Sequence, residues 1–500
     1  HLHEFHFPRL KMIRPAFLVL FTICLLDLSS FCATISETQV TVIQSAQGTS
    51  DRLTPIGTVA FQPVQPNETL PLISLVENKT DQIILGFGGA ITDSVANVYH
   101  KLSPAAQEEF LDLFFGPNGQ QLTFVRATMN SADFSVTSYS YDDSKGDLSL
   151  DSFSMEHDEK LIIPLLVKAT ERARSSGRDL NIVASSWSPP AWMKKNNNMR
   201  NSDHPGLLQE ESIFKAWALY FSKYLTVMKS HNLTMWSMSA QNEPHVGGQL
   251  YPFVYECCAY TAELLKDFVQ KYWGPQLRRD HPDVKLLMMD DQKPQLESWV
   301  GIMLNDSDSA PFVDGAAFHW YGEFLKNYQY VEEMHKQYPS LLLVATEATL
   351  VARWKQEDHW KHGSHYAIDI IGDMEAGTSA WIEWNLLLDD FGGPVHPLGG
   401  ECDAPLLASR DYQNVSIGDQ FWHLGHFSRF MVPNSHRVIS NQSRMDGLLA
   451  TVAQTPTGSK VVVVLNTSAD SRRFQVQDTA GVATFDMPPQ SIQTLTYHDS

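Results

Sequence analysis

Thr234-Met-Trp-Ser-Met-Ser-Ala-Gln-Asn-Glu-Pro244 is the stretch whose reading decides the fold. The apolar run Trp236 to Ala240 reads as a buried strand, and it breaks abruptly into Asn242 and Glu243 ahead of Pro244. Proline cannot continue a hydrogen-bonded ladder, so the Asn-Glu pair falls where strand becomes loop. A second copy of the pattern is Leu341-Leu-Leu-Val-Ala-Thr-Glu347-Ala, again an apolar strand running straight into a glutamate. Working outward, strand-like runs at Gln82–Ile91, Leu122–Ala127, Leu180–Ser185, Lys285–Met289, Gly315–Phe318 and Ser379–Trp384 alternate with helical stretches at Pro104–Phe115, Glu159–Ser175, Glu211–His231 and Pro252–Tyr272. Eight strands with helices between most of them predict an α/β fold, a (β/α)8 TIM barrel over residues 83–433. On that count Glu243 ends the fourth strand and Glu347 the seventh, at the edge where such barrels carry active-site side chains.

The flanks have a different texture. Residues 34–82 are rich in β-branched and aromatic residues broken by Pro55, Pro63, Pro66 and Pro71, which predicts short strands. Residues 434–500 repeat it, with strand candidates at Leu448–Val452, Lys460–Asn466, Arg473–Val476 and Ser491–Tyr497. Both chain ends are expected to build one flanking β-sandwich. The Asn-rich loop Lys194–Pro205 reads as a solvated surface loop.

Composition narrows the partners. With 43% hydrophobic and 19% charged residues the chain has ordinary globular usage, and a net charge of −20 without a basic block excludes nucleic acid as an expected partner. Residues 1–33 read as upstream residues followed by a secretory signal, because the apolar run Ala16–Leu26 follows Lys11 and Arg14 and is too short to span a bilayer. Export agrees with seven N-glycosylation candidates at Asn67, Asn78, Asn232, Asn305, Asn414, Asn441 and Asn466. Beyond the signal region only Cys257, Cys258 and Cys402 remain, without metal-ligand spacing, and no cofactor is expected.

Two carboxylates facing one pocket are what glycoside hydrolysis needs. A gap of about 5–5.5 Å lets one act as nucleophile, whereas roughly 6.5–9.5 Å admits water and inverts the sugar. Asn242 offers an amide to a sugar 2-hydroxyl beside Glu243, which makes Glu243 the acid/base and Glu347 the nucleophile. The motifs Gly86-Phe-Gly-Gly-Ala-Ile-Thr-Asp93, Ser185-Ser-Trp-Ser-Pro-Pro-Ala-Trp-Met193, Gln241-Asn-Glu-Pro244, Leu287-Met-Met-Asp-Asp-Gln292, His319-Trp-Tyr321, Thr346-Glu-Ala348 and Trp381-Ile-Glu-Trp-Asn385 stand in the order found in glycoside hydrolase family 30, which the chain resembles from about residue 80 to 500.

The resemblance implies a retaining β-glucosidase in which Asp93, Trp187, Asn242 and Trp384 surround the glucose. It also implies that His319 and Tyr321 support the nucleophile's side, while Arg126 holds Glu347 ionised. Asp290 and Asp291 suggest a metal pair, but with no third ligand near in sequence they read as structural. The family pattern has Cys where this chain has Thr349, and an aromatic where it has His396. The implied partners are glucosylceramide in membranes, reached through Phe324, Leu350, Trp354 and Phe391, together with anionic lipid, a saposin-type activator and a lysosomal sorting receptor. The implied destination is the lysosome through the secretory pathway, or the cell exterior. The alternatives are an enzyme on soluble glycans, such as a β-xylosidase or β-1,6-glucanase, and a non-catalytic carbohydrate-binding barrel.

Overall fold

The computed structural model describes residues 38–245, 255–321, 325–350, 358–395 and 402–498. Three strands open the described chain: β1 (Gln39–Ala46), β2 (Thr54–Ala60) and β3 (Leu72–Ile84). A closed parallel barrel follows, from β4 (Gly86–Ile91), β5 (Phe124–Met129), β6 (Asn181–Ser186) and β7 (Met235–Ser239) to β8 (Lys285–Gln292), β9 (Gly315–His319), β10 (Leu342–Glu347) and β11 (Ala380–Asn385). These strands are apolar almost throughout because barrel strands are covered on both faces. Phe124, Val183, Leu287, Ala317, Val344, Ala380 and Ile382 fill the interior, so the barrel is plugged and chemistry is confined to its rim.

Beyond the barrel come β12 (Leu387–Leu388), β13 (Leu406–Ala408) and β14 (Val415–Ile417), which form a small sheet. β15 (Ser435–Ser443), β16 (Leu448–Gln454), β17 (Lys460–Asn466), β18 (Arg472–Asp478), β19 (Gly481–Met487) and β20 (Ser491–Tyr497) join β1–β3 in one sheet ordered β19-β18-β3-β15-β16-β17-β20-β1-β2. The two edges of that sheet meet at the Gln62–Val482 bridge, so it wraps around its own core of Val42, Ile73, Val462, Phe474 and Leu495. Both chain ends thus build the sandwich, and β15 and β19 are members that the hydrophobic pattern had not marked. The helix Asp419–Ser428 docks the sandwich to the barrel through His426, whose ring nitrogens meet Thr494 Oγ1 at 2.8 Å and Ser45 Oγ at 2.9 Å.

Three local expectations change. The helix read from Pro252 starts only at Ala262, where Thr261 Oγ1 caps Leu264 N–H; the preceding Cys257–Tyr260 segment is drawn into the interior instead. The loop 194–205 is anchored and not merely solvated, because buried Lys194 donates to the carbonyls of Met199, Asn201 and Cys257 at 2.8, 2.7 and 2.5 Å. Finally, Asn466 is buried and spends its amide on the carbonyls of Asp470 and Pro488, which closes it to a glycan. The other six acceptor asparagines are exposed.

Candidate active site

A guanidinium at the barrel's centre organises the site. Arg126, on β5, is fully buried, and a buried charge is tolerated only when paired and hydrogen-bonded. Its Nη1 donates to Glu347 Oε2 at 2.5 Å, Nη2 to Asn242 Oδ1 at 2.7 Å and to Asp290 Oδ2 at 3.0 Å, and Nε to Ser185 Oγ at 3.3 Å. The rings of Trp187 and Trp384 stack at 5.2 Å, and the guanidinium carbon lies 4.9 and 5.3 Å from their centroids. These indoles exclude water from the ion pairs, which strengthens them.

Asp290 is the counterweight. It accepts from Ser185 Oγ, Ser239 Oγ and Thr346 Oγ1 at 2.6, 2.5 and 2.6 Å, and His319 Nε2 lies 3.1 Å away. Burial alone would raise its carboxyl, but the charges of Arg126 and His319 and the Ser185 hydroxyl hold it well below the usual carboxylate range. Asp291 turns elsewhere, toward His245, so the pair does not converge on a common point. Asp290 is aimed inward by a bulge: Met289 and Asp290 take φ of 77° and 60°, and the β8–β9 register slips there. Glu243 is also left-handed at φ 46°, and its N–H donates to Asp290 O at 2.9 Å. Such a residue costs about 1–3 kcal/mol and persists where the surroundings enforce it.

The two glutamates sit in opposite settings. Glu347, the last residue of β10, receives Arg126 on one oxygen and the Tyr321 hydroxyl on the other at 3.0 Å. Burial and the charge of Glu347 push the Tyr321 phenol far up, so it stays a neutral donor. Glu243 has looser company: Gln292 Nε2 at 3.2 Å, His319 Nδ1 at 3.5 Å and the Tyr255 hydroxyl at 3.5 Å. Burial raises its carboxyl, His319 offsets part of that, and Asp291 and Glu347 push it further up. One carboxylate is clamped by a cation and the other is poised to hold a proton.

The structure brings together Arg126, Trp187, Asn242, Glu243, His319, Tyr321, Glu347 and Trp384, and it moves two assignments. His319 does not support the nucleophile's side by contact; it bridges Asp290 and Glu243. Its imidazole is raised to about 10, because Glu347, Asp290 and Glu243 outweigh the burial that would lower it. Asp93 is not open to a sugar. It is fully buried, its Oδ2 accepts from Val136 N–H at 2.8 Å and its Oδ1 meets His157 Nε2 at 2.6 Å. What it holds is the loop after β5, and that loop carries Asp133, which the sequence reading missed. Asp133 Oδ1 is without a hydrogen-bond partner among the described residues. Burial raises its carboxyl, and the charges of Glu347 and Glu243 push it further up. An acid four residues past a barrel strand is a weak signal, but it is the one that was available.

A cleft of about 580 Å³ is lined by Leu85, Arg178, Asn181 and Asn434 at the opposite ends of the strands, away from both glutamates. The rim residues Phe324, Trp354 and His396 lie outside the described residues. Leu350 is buried and so presents nothing to a membrane, whereas Phe391 is 58% exposed.

A parallel barrel that gathers two glutamates, an arginine and paired indoles at one mouth, with a β-sandwich at its side, defines a glycoside-hydrolase class of protein. The chain belongs to glycoside hydrolase family 30: residues 84–431 match the Glycosyl hydrolase family 30 TIM-barrel domain and residues 434–495 the Glycosyl hydrolase family 30 beta sandwich domain. It is 35% identical to the lysosomal acid glucosylceramidase of Mus musculus, over 81% of this chain and 79% of that protein. It is 28% identical to the endo-1,6-beta-D-glucanase of Neurospora crassa, over 77% and 79%. Among solved structures, SrfJ from Salmonella typhimurium superposes with a TM-score of 0.85 at 28% identity, covering 92% of this chain and all of that one.

Proposed function

We propose that this protein is a retaining exo-β-glucosidase that hydrolyses glucosylceramide to glucose and ceramide. The observation that carries the reading is the asymmetry of the two glutamates, one clamped by Arg126 and Tyr321, the other raised by burial. In the first step Glu347 attacks the anomeric carbon, the glycosidic bond breaks, and the proton on Glu243 passes to the departing ceramide oxygen. In the second, Glu243 takes a proton from water as the water oxygen displaces Glu347, which returns both groups to their starting state. Arg126 donates to the Asn242 oxygen, which leaves the amide nitrogen to donate to the sugar 2-hydroxyl, and the unpartnered Asp133 oxygen receives a hydroxyl of the sugar.

The similarity to a lysosomal glucosylceramidase supports the lipid substrate. With it come anionic lipid, a saposin-type activator, delivery through the secretory pathway and a lysosomal sorting receptor as expected partners. Purified protein would be assayed on glucosylceramide in mixed vesicles, an aryl β-glucoside, an aryl β-xyloside and β-1,6-glucan, and labelled with a 2-deoxy-2-fluoro glucoside. Lipid and aryl glucoside are turned over and Glu347 carries the label. Turnover of the glucan or xyloside with none of the lipid replaces this reading with a soluble-glycan enzyme, and binding without any turnover leaves a carbohydrate-binding barrel.

A further inference from the structure

The helix His359–Ala376 begins with two histidines three residues apart, a spacing that puts both imidazoles on one helical face. Their rings are 5.4 Å apart at 66°. Asp403, from the far end of the rim insertion that follows β11, enters between them: His362 Nδ1 lies 2.5 Å from Asp403 Oδ2, and one donor atom from each of His359, His362 and Asp403 falls within 4.8 Å of the others. We propose that these three residues form a binding site for an imidazole-preferring divalent ion of the Zn²⁺ type, outside the sugar site.

The donor set is the chemistry such ions select. Two imidazoles and one carboxylate suit zinc, cobalt or nickel and not magnesium or calcium, which take oxygen ligands. Three protein ligands leave a fourth position, and the cavity there, about 320 Å³ and lined by His359, Asp403 and Asp419, lets ion and water enter. Asp403 is oriented from behind, because Ala404 N–H donates to its other oxygen at 2.9 Å. Donors around a four-coordinate ion at about 2.0–2.1 Å stand roughly 3.3 Å apart. His362 and Asp403 stand closer than that, so an ion entering there replaces their hydrogen bond and spreads the pair, while rotation of exposed His359 brings in the third donor.

The site also touches the catalytic rim. Asp403 N–H donates to Leu350 O at 2.8 Å, and Thr349 Oγ1 donates to Asp403 O at 3.2 Å. These are the residues that follow Glu347 and Ala348. An ion held by Asp403 therefore ties the segment behind the candidate nucleophile to the start of the next helix.

Co²⁺ provides a visible probe, added to the full-length protein at pH 7.5 while the d–d absorption of four-coordinate cobalt, at roughly 500–700 nm, is followed. The wild type gives bands that saturate at one ion per chain, are unaffected by excess Mg²⁺ and vanish when Zn²⁺ is added. His359→Ala removes an exposed ligand without disturbing the sugar site, so aryl-glucosidase activity without metal is unchanged and reports folding. Its cobalt affinity falls by more than the ~10–100-fold that outer-shell changes cost. His362→Asn, carrying the conservative polar replacement, behaves alike. Absence of saturable bands in the wild type, or bands of equal affinity in His359→Ala, would overturn the site and leave a His–Asp ion pair.

Discussion

At the scale of single residues, the site works by giving chemically identical glutamates different neighbours. On the proposed roles, Glu347→Gln lacks the carboxylate that would form the glycosyl-enzyme and is expected to abolish turnover of every β-glucoside. Glu243→Gln loses about 10²–10⁴-fold on substrates whose leaving group needs a proton, spares activated aryl glucosides, and is rescued by azide. Steady-state kinetics across leaving groups, with and without azide, separates the two; identical responses would reverse the role assignment. Arg126 carries a different burden, since truncating it leaves Glu347 without its cation and Asp290 with only His319 in a buried site. Arg126→Ala is expected to lose about 3–5 kcal/mol of stability, the cost of breaking a buried pair, which chemical denaturation measures. A loss below about 1 kcal/mol, the range of a surface ion pair, contradicts that burial argument.

At the scale of elements, the barrel was legible because each parallel strand is buried on both faces and therefore shows as an unbroken apolar run. Glu243 and Glu347 were legible because each ends such a run. The bulge at Met289–Asp290 was not, since its positive φ values are imposed by Arg126, His319 and the three hydroxyls and not by local preference. The anchoring of Asp93 was hidden for the same reason: only the folded loop shows which acid is spent on holding it. That anchor continues outward, with Tyr139 stacked on His157 at 3.8 Å and the Tyr139 and Tyr141 hydroxyls donating to Asp158 at 2.7 and 2.5 Å. Burial raises Asp158 to about 7, against the smaller lowering by those hydroxyls and His157. Its folded pKa thus exceeds the unfolded one, so the folded state binds the proton more tightly. This contribution is complete below about pH 4, shrinks as pH rises to about 7, and spans at most about 4 kcal/mol. Asp158→Asn keeps the shape without the titration. Thermal midpoints at pH 5 and pH 7.5 are expected to differ less in the variant than in the parent, and equal differences would show that Asp158 does not titrate in this window.

At the scale of the whole molecule, the question is how a chain of net charge −20 meets a lipid substrate. No helix among the described residues is long and apolar enough to cross a membrane. Contact through the rim is the route the proposed function offers for a test. Phe391 is the described rim residue suited to it. Its ring is mostly exposed, Arg410 stacks at 5.1 Å, and Asp389 Oδ1 fixes the turn by accepting from Phe391 and Gly393 N–H at 3.0 and 2.9 Å. An aromatic ring with a cation against it suits an anionic interface, where the ring enters the headgroup region and the guanidinium meets lipid phosphate. At neutral pH the overall negative charge opposes approach. Acidification relieves it as exposed histidines gain protons, although not all 19 take part. Burial lowers His423 to about 4 and His426 further, so both stay neutral at pH 5, while His319 is already charged at neutral pH. Binding to anionic vesicles, measured by flotation, is therefore expected at pH 5 and weak at pH 7.5. Phe391→Ala should reduce that binding, and glucosylceramide hydrolysis with it, by about tenfold, since exposing rather than burying a phenylalanine side chain is worth about 1.5–3 kcal/mol. Hydrolysis of a soluble aryl glucoside stays unchanged, because Phe391 contacts neither glutamate. Equal flotation of parent and variant at pH 5 would exclude Phe391 as a lipid contact, and equal flotation of the parent at both pH values would exclude charge as the gate.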